Sequence, residues 1–185
     1  MRRDLGSKPW FYPLPVIIIG TYDEDGVPDA MNAAYGGLYN SGMIEFSIGH
    51  GRKTFQNIQA SKAFTVSFAD AANLAASDYV GLVSGSDTPD KIRRTGWPVT
   101  PSRFVNAPLF EELPVTWECE FVRLTEEGNV LGRLVNISVR EDVLAEDGTV
   151  NMEKFKPLVF DHATYDYLKV DGIAGKAFEA GKCLM

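Results

Sequence analysis

Met43-Ile44-Glu45-Phe46-Ser47-Ile48-Gly49-His50-Gly51-Arg52-Lys53-Thr54-Phe55 is the stretch that decides how this chain is built. It begins as an apolar strand, breaks at two glycines and resumes as a helix that runs to Ser61, with Phe55 and Ile58 on one face. The first amides of a helix lack intrahelical acceptors, and the helix dipole adds partial positive charge there. Arg52, Lys53 and the Thr54 hydroxyl bring further charge and donors to that point, as a phosphate requires. A plainer reading fits the same residues: a strand–helix connection with an N-cap threonine and two solvated cations. A Walker A loop is excluded, because Ser47 and Arg52 stand where it needs glycine.

The 185 residues suffice for one domain with a substantial core, expected to span 1–185. A hydrophobic share of 45% places the chain among globular proteins. The net charge of −7 argues against a nucleic-acid groove, which needs a basic face. Cys119 lies in a strand pattern and Cys183 near the end, which suggests neither a disulfide framework nor a metal knuckle. A reducing cytoplasm is the expected compartment. The apolar run Val16 to Ile19 is too short to span a membrane.

Trp10, Phe11 and Tyr12 sit between Pro9, Pro13 and Pro15, an extended lead-in whose aromatics need a neighbouring strand or a partner subunit to cover them. Val16 to Tyr22 is apolar on both faces and reads as a central strand. Asp25-Gly26 turns it into a second strand, Pro28 to Tyr35, which Gly36-Gly37 is expected to end. Met43 to Ile48 forms the third strand and Ala63 to Phe68 the fourth. Asp70 is expected to cap a helix from Ala71 to about Val83, with Leu74, Tyr79, Leu82 and Val83 near one face. A short helix follows from Thr88-Pro89 to Gly96, then a covering loop from Trp97 to Pro114. Val115 to Leu124 alternates, with Val115, Trp117, Cys119 and Phe121 on one face and Thr116, Glu118 and Glu120 on the other. Val130 to Val139 is its hairpin partner; Met152 to Lys156 is helical, and Leu158 to Phe160 a last short strand. Hairpins with helices inserted between strands predict a mainly β fold whose antiparallel sheet closes. No Gly-x-Gly-x-x-Gly follows a strand, so a resident nicotinamide dinucleotide site is not expected.

Pro15 to Thr21, followed by Asp25-Gly26-Val27-Pro28-Asp29-Ala30-Met31-Asn32-Ala33-Ala34-Tyr35, resembles the opening of the flavin reductase-like, FMN-binding split-barrel family, and the flavoredoxins within it. Matching segments follow in order at Arg52 to Ile58, Ala63 to Val66, Gly85 to Lys91, Pro114 to Cys119, Gly132 to Val135 and Lys156 to Phe160, with Tyr165, Tyr167 and Gly175 to Phe178 after them. The resemblance covers nearly the whole chain. It implies a split β-barrel, a homodimer, and FMN held without a covalent bond near the dimer interface. It places the phosphate against Arg52, Lys53 and Thr54, and the ring edge along Asn32, Ala33, Ala34 and Tyr35. Ile48, Gly49 and His50 would pass beside the ribityl chain, with Ser86 and Lys91 as further contacts. The Tyr165 to Tyr167 region would close the site. The chain departs from the pattern at Asn129-Val130-Leu131-Gly132-Arg133, which lacks the histidine and glutamate that relatives often carry there, and at Ser41-Gly42, where relatives have prolines.

In such a protein the flavin carries out the redox chemistry and the chain binds and orients it. Three functions share these residues: a flavin reductase with NADH or NADPH as transient co-substrate, a flavoredoxin-like carrier served by a redox protein partner, and a non-catalytic flavin-binding dimer. His50 is the neutral-pH titrating group beside the expected site, and a solvent-exposed loop histidine is its plainer reading. Trp97 and Trp117 read as core or lid residues, and Cys119 as a buried apolar side chain.

Overall fold

The computed structural model describes residues 1–170 and 172–185. Its largest feature is a seven-stranded sheet built from β2 (Ile17–Tyr22), β3 (Pro28–Ala33), β4 (Gly36–Asn40), β5 (Met43–Phe46), β6 (Ala63–Phe68), β9 (Val115–Leu124) and β10 (Val130–Val139). The strand order is β3-β2-β6-β9-β10-β5-β4, with every neighbouring pair antiparallel. A small sheet joins β1 (Leu14–Pro15), β11 (Leu158–Asp161) and β12 (Asp166–Lys169), and β7 (Val99–Pro101) pairs with β8 (Pro108–Phe110). The helices are α1 (Lys53–Ser61), α2 (Leu74–Leu82), α3 (Lys91–Thr95) and α4 (Met152–Phe155). The curled sheet is the expected mainly β split barrel.

The apolar run before Tyr22 explains the position of β2. Ile17 and Ile19 point into one core with Phe46, Ile58, Phe64 and Val66, while Val16 and Ile18 point into another with Val80, Ile92, Trp97 and Phe110. Each such side chain contributes roughly 1.5–3 kcal/mol on burial. Both faces of β2 are therefore covered, and β3 beside it forms one edge of the sheet. The lead-in aromatics gain no comparable cover: Trp10, Phe11 and Tyr12 remain exposed.

Three local expectations need correction. Gly36-Gly37 opens the strand β4 rather than ending β3. A Cβ at Gly36 would come within 2.7 Å of the Phe46 Cβ, so glycine lets β4 lie against β5. Helix α2 begins at Leu74, with Asn73 as its N-cap residue, and Asp70 Oδ1 accepts the Asn73 amide at 2.9 Å. The helix buries Ser77 and Val80; of the expected face of Leu74, Tyr79, Leu82 and Val83, Tyr79 packs against the core while Leu74 is exposed and Leu82 is 75% exposed. Small residues allow this approach, since a Cβ at Gly81 would lie 3.0 Å from the Asn32 Cβ on β3.

The polar face of β9 is also covered. Thr116 and Glu118 are buried beneath the β7–β8 hairpin, which lies inside the loop expected to cover the sheet. Thr65 Oγ1 donates to the Pro108 carbonyl at 2.7 Å, and the Glu118 carboxylate accepts from Ser102, Asn136 and Ser138. A buried carboxylate is tolerated when its lone pairs are filled in this way. Beside it, burial first and the Glu118 charge second push the Cys119 thiol up to about 12, as suits an inert core residue.

Candidate functional site

The edge of β3 and the start of α1 border two adjoining cavities that together form a recess. Its wider part is a cavity of about 330 Å3, lined by Met31 to Tyr35, Val16, Ser47, Asp78, Gly81, Leu82, Phe160 and Tyr167. Its narrower part is bounded by Arg52, Lys53, Thr54, Asp29, Gly85 and Lys91, and the two share Met31 and Gly81 as lining residues. Because β3 is an edge strand, its outer backbone groups have no strand partner.

In the cavity, Asn32 Nδ2 donates to the Ser77 carbonyl at 2.9 Å and to the Tyr167 hydroxyl at 3.2 Å. The Tyr167 hydroxyl donates in turn to Asp78 Oδ1 at 2.8 Å. Burial first, and the Asp78 hydrogen bond and charge after it, push the Tyr167 phenol up to about 12. Asn32 is thus locked in one orientation between β3, α2 and β12. Its Oδ1 accepts no hydrogen bond among the described residues and remains available to a ligand donor. Ala33 and Ala34 keep that stretch of wall low, which suits a flat ring.

In the narrow part, the Thr54 hydroxyl is not an N-cap. It donates to Asp29 Oδ2 at 2.9 Å, and the N-cap residue of α1 is Arg52, which makes no side-chain cap hydrogen bond. The first amides of α1 are therefore left to a ligand or to water. Lys91 Nζ lies 2.8 Å from Asp29 Oδ1, with both side chains buried, and Lys53 Nζ lies 2.8 Å from Asp23 Oδ2. Partial burial raises the Asp23 pKa, but the Lys53 hydrogen bond, the Val27 and Asp25 amides and the Lys53 charge outweigh it and hold the carboxyl below its ordinary value. Arg52 makes no ion pair among the described residues. With Lys53 paired to Asp23 and Lys91 to Asp29, Arg52 is the cation at the helix start without an ion-pair partner among the described residues. Glycine is required at the rim, since a Cβ at Gly85 would stand 2.4 Å from Asp29 Oδ1 and 3.2 Å from Lys53 Cδ. Open amides, a guanidinium without an ion pair among the described residues and a mainly apolar, low-walled cavity with Asn32, Asp78 and Tyr167 in its lining fit a planar ligand carrying an anionic tail.

The structure brings together Asn32, Ala33, Ala34, Tyr35, Arg52, Lys53, Thr54 and Lys91. Ser86 lies in an adjoining surface cleft with Asp23, Lys53 and Gly85. Ile48, Gly49 and His50 line neither part of the recess. Ile48 belongs to the core, while His50 stacks on Phe55 at 4.3 Å between centroids and shares a 2.9 Å hydrogen bond with the Gly128 carbonyl. The histidine thus ties the start of α1 to the β9–β10 turn. Sequence reasoning missed Asp29, Gly81 and Asp78; it expected the Tyr165 to Tyr167 region at the site, and Tyr167 lines the cavity. A carboxylate in β3 was the available signal for Asp29. The Tyr167 contact depends on β12 pairing with β11, which no local pattern announces. Tyr167 lines the cavity from the same chain.

The profile of the flavin reductase like domain matches residues 10–169. This chain belongs to the flavin reductase-like family. The flavoredoxin of Desulfovibrio vulgaris (Miyazaki F) is similar to it at 32% identity and a TM-score of 0.94, over 98% of this chain and 100% of that one. A flavoredoxin from Methanosarcina acetivorans shares the fold, with 24% identity, a TM-score of 0.89 and full coverage of both chains. So does an FMN-binding domain of a flavin reductase-like enzyme from Shewanella baltica OS155, with 13% identity, a TM-score of 0.78 and 88% of each chain covered. Among the described residues no helix is long and apolar enough to cross a membrane, and no cluster of three or more metal-binding side chains occurs.

Proposed function

We propose that this chain is an FMN-dependent oxidoreductase with NAD(P)H:flavin oxidoreductase activity, acting as one domain over residues 1–185. The observation that carries the reading is that the cavity at Asn32 to Tyr35 and the open start of α1 at Arg52 to Thr54 adjoin, with Met31 and Gly81 lining both. A ring and a phosphate joined by a polyol chain need two such sites side by side. The cavity volume falls within the roughly 300–1,000 Å3 of small-molecule sites.

When bound, the flavin supplies the hydride or electron chemistry. Arg52, Lys53 and the first amides of α1 hold the phosphate. The Asp29–Lys91 pair and the Thr54 hydroxyl fix the floor beneath it, so Thr54 and Lys91 act chiefly by positioning. The β3 edge and Asn32 Oδ1 orient the ring, with Asn32 held by Ser77 and Tyr167. NADH or NADPH acts as a transient co-substrate over the open side of the cavity. The protein works as a homodimer, which would cover Trp10, Phe11 and Tyr12, and resides in the cytoplasm, where Cys119 and Cys183 stay reduced.

A second reading, a flavoredoxin-like electron carrier, is favoured by the 32% identity to a flavoredoxin and by the hairpin at Asn129 to Arg133, which lacks the expected histidine and glutamate. Anaerobic reconstitution with FMN separates the two. Rapid flavin bleaching by NADH or NADPH supports the reductase, whereas bleaching only by a reduced protein donor supports the carrier. Failure to bind FMN removes both.

A further inference from the structure

Among the described residues lining the cavity, Asp78 of α2 is the one carboxylate, and no lysine, arginine or histidine joins it. Its side chain is half-buried and makes no ion pair among the described residues. Aspartate is ordinarily ionised at neutral pH. The cavity thus holds a lone negative charge in a wall made chiefly of apolar side chains. The cations stand elsewhere: Arg52, Lys53 and Lys91 border the narrower part of the recess.

The carboxylate is fixed relative to Asn32. Asp78 Oδ1 accepts from the Tyr167 hydroxyl at 2.8 Å, and that hydroxyl accepts from Asn32 Nδ2 at 3.2 Å. The same Nδ2 donates at 2.9 Å to the carbonyl of Ser77, the neighbour of Asp78 on α2. The other ionisable side chains in the lining are the phenols of Tyr35 and Tyr167. A phosphate is negative whether its flavin is oxidised or reduced, so the cations at the start of α1 serve both states alike. The ring alone changes charge, and Asp78 is the charged group in the cavity assigned to it.

Resting on the placement of a flavin ring in this cavity, we propose that the Asp78 carboxylate lowers the reduction potential of the bound flavin by opposing the negative charge that reduction adds to the ring. Two electrons from the reductant and one proton from solvent leave the ring with one added negative charge. A carboxylate fixed in a mainly apolar wall repels that charge more strongly than it would in water. Oxidised flavin is then held more tightly than reduced flavin, and the bound flavin is the stronger electron donor. No bond to Asp78 forms or breaks, and it takes up no proton.

The test begins with the flavin-free chain. Carbon NMR follows the Asp78 carboxyl, identified by the loss of its signal in Asp78→Asn. The expected result is an ionised carboxylate near neutral pH whose signal moves in Tyr167→Phe. A protonated Asp78, or one indifferent to Tyr167→Phe, overturns the proposal. The FMN-loaded chain is then titrated with dithionite against a reference dye. Asn keeps an acceptor oxygen for Tyr167 and removes only the charge. Asp78→Asn should shift the balance between oxidised and reduced FMN at least about tenfold toward the reduced form, which is a rise in midpoint potential of about 30 mV for a two-electron couple. Asp78→Ala is the second charge-free variant and should shift it in the same direction. Asp147→Asn removes an exposed charge outside the cavity lining and should leave the potential unchanged. If FMN binds and the parent and both Asp78 variants share one potential, or if Asp147→Asn raises it equally, the proposal fails while the flavin placement stands. If the parent does not bind FMN, the flavin placement fails and the proposal with it.

Discussion

Lys91 sets its ammonium group 2.8 Å from the Asp29 carboxylate, and their side chains are 4% and 3% exposed. The pair stands directly beneath the proposed phosphate position, and the Thr54 hydroxyl shares the same carboxylate. Lys91 also donates to the Val83 carbonyl at 3.3 Å, which ties α3 to the end of α2. Breaking one side of a buried pair leaves a charge without compensation. Lys91→Met should therefore destabilise the fold by about 3–5 kcal/mol. Adding Asp29→Asn should recover much of that loss, since the uncompensated charge is then gone. Denaturant unfolding of the parent, the single variant and the double variant checks this coupling.

Two glycines set the distance between α2 and the recess. A Cβ at Gly85 would meet Asp29 Oδ1 at 2.4 Å, and one at Gly81 would meet the Asn32 Cβ at 3.0 Å. Gly85→Ala should cost about 1–3 kcal/mol through overpacking. Gly81→Ala should cost less, because a small shift of α2 relieves it. Gly51, with nothing within 4 Å of its added Cβ, is the control and should change stability by less than about 0.5 kcal/mol when replaced by alanine. Thermal unfolding of the three variants tests the order.

The legible parts of the fold were those that a local pattern fixes. Ile17-Ile18-Ile19 required cover on both faces, and β2 has it. The β9–β10 hairpin followed from alternation and the turn at Glu127 to Asn129. What escaped depended on partners remote in sequence. The alternation put Glu118 on the face opposite Trp117 and Cys119, but not its burial, because its donors, Ser102, Asn136 and Ser138, come from elsewhere in the chain. Strand β4 was hidden by Gly36-Gly37, where Gly36 serves close approach to β5 rather than a break. In the recess, Asn32 to Tyr35 and Arg52 to Thr54 came from the family resemblance together with the helix start. The Tyr165 to Tyr167 region also came from the resemblance, while Asp29 and Asp78 enter only through tertiary contacts. The geometry also gives His50 a structural contact, where the sequence had left its role open.

Tyr167 gives the cavity a signature at high pH. Its phenol is raised from 10.0 to about 12, so the folded state favours the protonated form. The stabilising contribution is whole below pH 10 and is lost as the pH rises through about 12. Tyr167→Phe should lower stability at neutral pH by about 0.5–1.5 kcal/mol for the lost hydrogen bonding. It should also flatten the decline between those two pH values. Tyr22, raised by burial, is present in both proteins, so the difference between their pH profiles isolates Tyr167. Unfolding free energy measured against pH provides the readout.

The central claim is that the start of α1 holds the phosphate of a flavin whose ring lies at Asn32 to Tyr35. The direct measurement is the affinity of the flavin-free chain for FMN and for riboflavin, which differ by that phosphate, read from quenching of flavin fluorescence. Charge-assisted hydrogen bonds contribute about 1.5–3 kcal/mol each, so FMN should bind at least about tenfold more tightly. Replacing Arg52 and Lys53 together by alanine should remove most of that advantage and leave riboflavin affinity within about threefold of the parent. Equal affinity for the two flavins in the parent, or an FMN advantage untouched by the double replacement, would contradict the account.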